Sequence, residues 1–217
     1  MNRSAASILW ETASVLARDA ADVSRTSARP GPSLPPLLFF TDPERTPRPW
    51  ETAARLPPGA AVVFRSFGQP DAHETGLRLR EVTRQRDALL LIGLDAELAA
   101  LVEADGVHLP ERALGLAPEL AAARPGWRIT GAVHSAKALA GANGLDAAVL
   151  SPVFGAGGAS ADRPPLGLDG FEDRVREATI PVYALGGIDA ANAGALIGTG
   201  ACGLAGVSAI RAAFGPD

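Results

Sequence analysis

Phe39-Phe40-Thr41-Asp42-Pro43 ends the first apolar run that follows the N-terminal segment, and it contains no glycine. An open doubly wound sheet that binds a nucleotide usually turns on glycines after its first strand. The run therefore argues for a closed barrel. Downstream of it one unit recurs: a short apolar or β-branched run, a loop, then Ala, Leu and Glu or Arg at helical spacing. The runs predicted as strands are Leu37–Thr41, Ala61–Arg65, Ala88–Ile92, Gly106–Leu109, Arg128–Val133, Ala147–Ser151, Pro181–Leu185 and Gly203–Val207. Eight such units predict an α/β fold, a (β/α)8 TIM barrel over residues 34–217. Ahead of it, Ile8, Leu9, Val15, Leu16, Ala20 and Val23 predict a helix across residues 4–29, which Pro30-Gly31-Pro32-Ser33 ends. Residues 1–33 thus read as a helix and linker.

Composition narrows the function classes. Hydrophobic residues are 47% and charged residues 20%, too apolar for disorder and too evenly charged to hide a membrane span. The net charge is −4 with no cluster of Lys and Arg, so a nucleic-acid partner is not expected and a small molecule is. Cys202 is the only cysteine and the N-terminus lacks a secretory pattern, so the expected location is the cytoplasm.

Two turns carry the phosphate expectation. Ala184-Leu185-Gly186-Gly187-Ile188 ends a buried strand on two glycines just before a helix expected to start near Asp189 or Ala190, where bare backbone lets N–H groups approach an anion. The next strand ends Gly206-Val207-Ser208, and in barrels the loops after strands seven and eight often share a phosphate. Gly186, Gly187, Val207 and Ser208 are the expected phosphate-binding residues. One such glycine pair alone more often marks a tight turn; two at consecutive strand ends favour the anion.

His134 closes the fifth strand and faces the barrel mouth, where an imidazole can exchange protons near neutral pH; it is the leading catalytic candidate. His108 reads equally as a ligand contact or as a hydrogen-bonded interior histidine. His73 reads as exposed. Arg65, at the end of strand two, reads as an anion contact over the mouth or as a surface ion pair, with position favouring the ligand. The Gly-rich stretch from Phe154 to Leu168 is long for a βα loop and reads as a lid.

Taken in order, Phe40-Thr41-Asp42, Ala104-Asp105-Gly106-Val107-His108-Leu109, Val133-His134-Ser135, Leu150-Ser151-Pro152-Val153-Phe154, Pro165-Leu166-Gly167-Leu168 and Leu185-Gly186-Gly187-Ile188 resemble the thiamine phosphate synthase/TenI family. The resemblance runs from about Leu37 to Ile210. It implies a (β/α)8 barrel, a homodimer, a phosphorylated thiazole or thiamine phosphate as ligand, and Ser151 among the ligand-binding residues. It also implies that synthases join thiazole phosphate to a pyrimidine methyl diphosphate and release diphosphate with Mg2+.

The chain departs from the synthase pattern. Gln-x-Arg-x-Lys after strand two falls on Val63-Phe64-Arg65-Ser66-Phe67, Asn-Asp-Arg after strand three on Gly93-Leu94-Asp95, and the second metal-binding Asp on Ala113. Lys137 is the only lysine, so the family's two lysines cannot both be restored. No cofactor or metal site is therefore expected, with Mg2+ only if the chain is a synthase. Three readings follow: a TenI-like thiazole tautomerase with His134 as acid/base, preferred; a divergent synthase with contacts rebuilt on Asp95, Glu111, Asp162 or Arg163; and a non-catalytic binder.

Overall fold

The computed structural model describes residues 3–23, 34–157 and 162–216. Eight parallel strands close a barrel in sequence order, with β8 returning to β1. They are β1 Leu37–Phe40, β2 Ala61–Phe64, β3 Leu89–Gly93, β4 Gly106–Leu109, β5 Arg128–Val133, β6 Ala147–Leu150, β7 Val182–Leu185 and β8 Gly203–Gly206. Both faces of these strands are covered, which is why they read as nearly continuous apolar runs.

Alternation along each strand divides the core in two. One set, including Leu38, Phe40, Val63, Leu91, Val149 and Tyr183, fills the barrel. The other, including Leu37, Phe39, Val62, Phe64, Leu90 and Ile92, faces the helices. Continuing that alternation with the observed strand pairing, Gly93 opposite His108 and His108 opposite Thr130, turns Arg65, His108, Thr130, His134 and Ser151 toward the barrel axis near its C-terminal end.

The surrounding helices are α1 Ala5–Val23, α2 Pro49–Ala53, α3 Ala72–Gln85, α4 Ala96–Leu101, α5 Ala117–Ala123, α6 Ala136–Ala140, α7 Gly167–Glu177 and α8 Ser208–Phe214. No described helix is long and apolar enough to cross a membrane. The helix expected from Asp189 or Ala190 does not form. Asp189 Oδ1 accepts the N–H groups of Ala191 and Asn192, and Asn192 Oδ1 accepts that of Asp189. This closed box is followed by one 3-10 turn, Ala193–Leu196, with Gly198 and Gly200 beyond it in the left-handed region. Side chains that bond their own neighbouring backbone compete with helix, and glycines weaken what remains.

Helix α1 occupies the space that this missing helix leaves, packing on β8, the 3-10 turn and α8. Its Leu9, Ala13 and Leu16 are buried in the same outer core as the barrel strands. Residues 24–33 of the expected helix and linker lie outside the described residues, as do 158–161 of the expected lid. The base of that loop closes on itself, Leu166 N–H donating to Pro152 O at 3.0 Å and Gly167 N–H to Val153 O at 2.9 Å.

Candidate functional site

At the mouth, Arg65 is held by its own strand neighbour. Its amide donates to Thr41 Oγ1 at 2.9 Å and its Nε to Thr41 O at 2.8 Å. The guanidinium carbon lies 5.4 Å from the Phe40 ring centre and 5.2 Å from that of Phe67, within cation–π range of both. Asp42 is the nearest carboxylate, 3.8 Å from Nη2, but it is taken by Arg45 and by the amides of Glu44 and Arg45. Arg45 accordingly holds the Asp42 carboxyl below its ordinary range. Nη2 is left buried with no hydrogen-bond partner among the described residues. Burial pulls the Arg65 pKa down to about 10, so it stays charged at neutral pH. A cleft of about 210 Å3 opens beside it, lined by Thr41, Asp42, Phe64, Arg65, Ser66 and Gln69 among others. A larger one of about 440 Å3 lies on the outside of the helix layer between α3 and α4, away from the strand ends.

His108 is an interior histidine. It is 5% exposed, its Nδ1 is 2.9 Å from Thr130 Oγ1, and its ring meets Phe40 edge-on at 4.8 Å. Burial first, then the charges of Arg65 and His134, push its pKa down to about 3. It is neutral at pH 7 and can offer hydrogen bonds there, but not a cationic proton donor.

His134 is half-buried and framed from two strands. Its Nδ1 lies 3.0 Å from Ser151 O and 3.1 Å from Ser151 Oγ. A carbonyl can only accept, so that contact places the proton on Nδ1 and leaves Nε2 as the basic nitrogen. From the β4 side, the Glu111 carboxylate accepts the His134 amide at 2.5 Å and stands 3.5 Å from Ser135 Oγ. From sequence Glu111 reads only as one of the residues on which a divergent synthase rebuilds its contacts; its hold on the His134 backbone spans a gap of 23 residues and has no sequence signal.

The paired turns lie side by side because β7 and β8 pair Leu185 with Ala205 immediately before them. Gly186 and Gly187 have φ of 106° and 65°. A Cβ on Gly186 would lie 2.7 Å from Pro152 Cα, and one on Gly187 2.4 Å from Gly155 O. The loop after β6 thus crosses directly over both glycines, and Phe154 N–H donates to Gly186 O at 3.0 Å. That close approach is a second reason for glycine here, one that the turn alone does not reveal. Among the described residues no acceptor takes the amides of Gly186, Gly187, Ile188, Val207, Ser208 or Ala209. Asn192 Nδ2 donates to Gly187 O at 2.8 Å and fixes the orientation of that peptide. Ser208 is exposed at the start of α8. The arrangement offers several donors to one anion.

The residues present do not fit Mg2+. Among the described residues no group of three or more His, Cys, Asp and Glu is placed to hold a metal. Asp95 Oδ1 caps α4 on Leu98 N–H at 2.8 Å, and Glu111 Oε2 accepts the His134 amide, so each carboxylate has one oxygen engaged within the protein. Gly93 leaves room for the stem of Arg65: a Cβ there would come within 3.2 Å of Arg65 Cγ. Asp162 and Arg163 are exposed, as are His73 and Lys137. Cys202 is buried, its thiol pushed up beyond the physiological range.

Residues 41–210 match a family profile described as thiamine monophosphate synthase. A thiamine-phosphate synthase of Chlorobium luteolum is 33% identical over 86% of this chain and 90% of its own length. One from Archaeoglobus fulgidus is 31% identical over 83% and 88%. The solved thiamine phosphate pyrophosphorylase of Pyrococcus furiosus superposes with a TM-score of 0.67 at 29% identity, covering 82% of this chain and 91% of that one. FabK of Thermotoga maritima, at 16% identity and TM-score 0.65, shares the barrel alone. With its barrel, its ordered motifs and these relatives in agreement, the chain belongs to the thiamine monophosphate synthase/TenI family.

Proposed function

We propose that this chain is a thiamine-biosynthetic enzyme that holds a phosphorylated thiazole across the barrel mouth, phosphate on the turns at Gly186-Gly187 and Val207-Ser208 and ring toward His134. The observation that carries this is the pair of neighbouring turns whose amides have no acceptor among the described residues. Gly187 and Ser208 are exposed and Gly186, Val207 and Ala209 half-buried, so an anion that enters the mouth can take these donors together.

The names of the relatives support condensation as the reaction: thiazole phosphate joined to a pyrimidine methyl diphosphate, with diphosphate leaving. In that reading the chain's own residues bind and orient the thiazole phosphate, and Arg65 meets the leaving anion. No step is assigned to Mg2+, because the residues do not fit it. A second reading, proton transfer on the thiazole, is favoured by the frame around His134. With Nδ1–H held by Ser151 O, Nε2 accepts a proton from the ring and returns it at the neighbouring position.

One set of assays tests both. The protein is given thiazole phosphate and pyrimidine methyl diphosphate, with and without Mg2+, and thiamine phosphate is measured. Separately, it is given the thiazole carboxylate phosphate in D2O and deuterium uptake into the ring is followed. Thiamine phosphate above the uncatalysed rate supports condensation. Deuterium uptake without it, falling on the order of 10²–10⁴-fold in His134→Gln with binding kept, supports proton transfer. Ser208→Ala weakens binding of the phosphorylated thiazole in either case. Equal affinity for phosphorylated and unphosphorylated thiazole refutes the proposal.

A further inference from the structure

Near its C-terminal end, β5 loses one of its two neighbours before the other. Pairing with β4 stops at Leu109 opposite Gly131, where the chain turns off at Pro110 into a 3-10 helix, Glu111–Leu116. Pairing with β6 continues to Val133 opposite Leu150, and Val133 O accepts Ser151 N–H on that side at 3.2 Å. Across a trans peptide the carbonyl and the next amide point opposite ways, so the His134 N–H points to the side that β4 has left. At the ends of β1 and β3 the corresponding amides, of Thr41 and Leu94, reach main-chain carbonyls of a neighbouring strand, Val63 O and His108 O. Among the described residues His134 has no such carbonyl.

Glu111 fills that place. Its Oε2 accepts the His134 amide at 2.5 Å, and its Oε1 stands 3.5 Å from Ser135 Oγ, which accepts Ala138 N–H at 3.1 Å and caps α6. One carboxylate therefore bears on both the peptide that carries the imidazole and the helix that follows it. A hydrogen bond to an ionised acceptor is shorter and stronger than one between neutral groups, so it holds the peptide firmly. What the peptide positions is the ring. His134 Nδ1 meets Ser151 O at 3.0 Å and Ser151 Oγ at 3.1 Å, contacts that tolerate only small shifts of the backbone. With the peptide released, the ring can turn away from Ser151, and no acceptor then decides which nitrogen keeps the proton.

We propose that Glu111 is a positioning residue for His134: its carboxylate stands in for the strand neighbour that β5 loses beyond Leu109, and by fixing the His134 peptide it keeps the proton on Nδ1 against Ser151 and Nε2 free at the mouth. Glu111 acts through the His134 peptide and not on the ligand. The role rests on the reading that His134 transfers a proton at the mouth, but its signature is present in the protein without substrate.

The full chain, labelled with 15N in histidine, is followed by NMR without substrate, and His134→Gln assigns the signals. In the parent, Nδ1 carries the proton of the neutral ring, and the His134 amide exchanges with solvent on the order of 10-fold or more slowly than an open-loop amide. Glu111→Ala populates both tautomers, and deuterium uptake into the thiazole falls on the order of 10-fold to 10²-fold with affinity for the phosphorylated thiazole kept. Glu111→Gln, whose amide oxygen can accept the same N–H, restores the parent tautomer and most of the turnover. A purely structural loss lowers the melting temperature and leaves the tautomer where it was. Rapid exchange of the His134 amide in the parent, or a proton on Nε2 there, overturns the role without any variant having to fold. So does a parent tautomer kept in Glu111→Ala, or one lost equally in Glu111→Gln. Absence of turnover in the parent, with Nδ1 protonated and the amide protected, counts against proton transfer as the reaction and leaves the positioning supported.

Discussion

Replacing Gly187 with alanine imposes two separate costs. The backbone there has φ of 65°, where a Cβ costs roughly 1–2 kcal/mol against the following carbonyl. The new atom would also lie 2.4 Å from Gly155 O and 2.8 Å from Phe154 Cβ. Relieving that contact means moving the loop after β6, an overpacking cost of about 1–3 kcal/mol. The sum, about 2–5 kcal/mol, corresponds in a chain of this size to a fall in melting temperature on the order of 10 °C. Gly68→Ala is the matched control, because Gly68 has φ of 78° and nothing within 4 Å of the added atom. Only the backbone cost applies there. Thermal unfolding by circular dichroism, with and without inorganic phosphate, reads both consequences. The parent is stabilised by phosphate according to RT ln(1 + [L]/Kd), and Gly187→Ala loses that gain as its amides shift. If Gly187→Ala melts no lower than Gly68→Ala, the loop does not press on the glycine and the reasoning fails.

Two further outcomes concern the interior. His108 has a folded pKa near 3 against an ordinary 6.5, so between those values the unfolded chain binds a proton that the folded chain does not. Its neutral burial is therefore harmless above about pH 6.5 and costs stability as pH falls, about 3 kcal/mol at pH 4.5. In urea unfolding, the stability of the parent relative to His108→Gln should fall by about 3 kcal/mol between pH 7 and pH 4.5; a constant difference refutes the assignment. Leu16→Ala, at a site 1% exposed, should cost about 2–5 kcal/mol in urea unfolding. A cost below about 1 kcal/mol would mean that α1 is not part of the core.

Much of the fold was legible because a parallel strand covered on both faces leaves a plain mark. β4 and β5 run over Gly106–Leu109 and Arg128–Val133 as read from sequence, and the other strands differ by a residue or so at their ends. The connection from β7 to β8 was not legible. Asp189 and Asn192 suit a helix start as well as a closed turn, and only the tertiary arrangement decides. The site was half legible. His134, Ser151 and Arg65 do converge on the mouth, and the turns at Gly186-Gly187 and Val207-Ser208, expected from sequence to share an anion, are neighbours. The choice left open for His108 falls to the interior through Thr130, a partner that only the strand register supplies.

The packing of α1 on β8 and α8 also orders events in time. During synthesis this helix emerges ahead of every strand, yet the surfaces that receive Leu9, Ala13 and Leu16 are among the last to be made. Its apolar stripe stays uncovered while the barrel is translated, and the contacts that finally bury it span most of the chain, the kind of long-range closure that slows folding. A nascent chain halted before β8 should therefore bind a hydrophobic-surface dye through this stripe, and release it once α8 has cleared the ribosome.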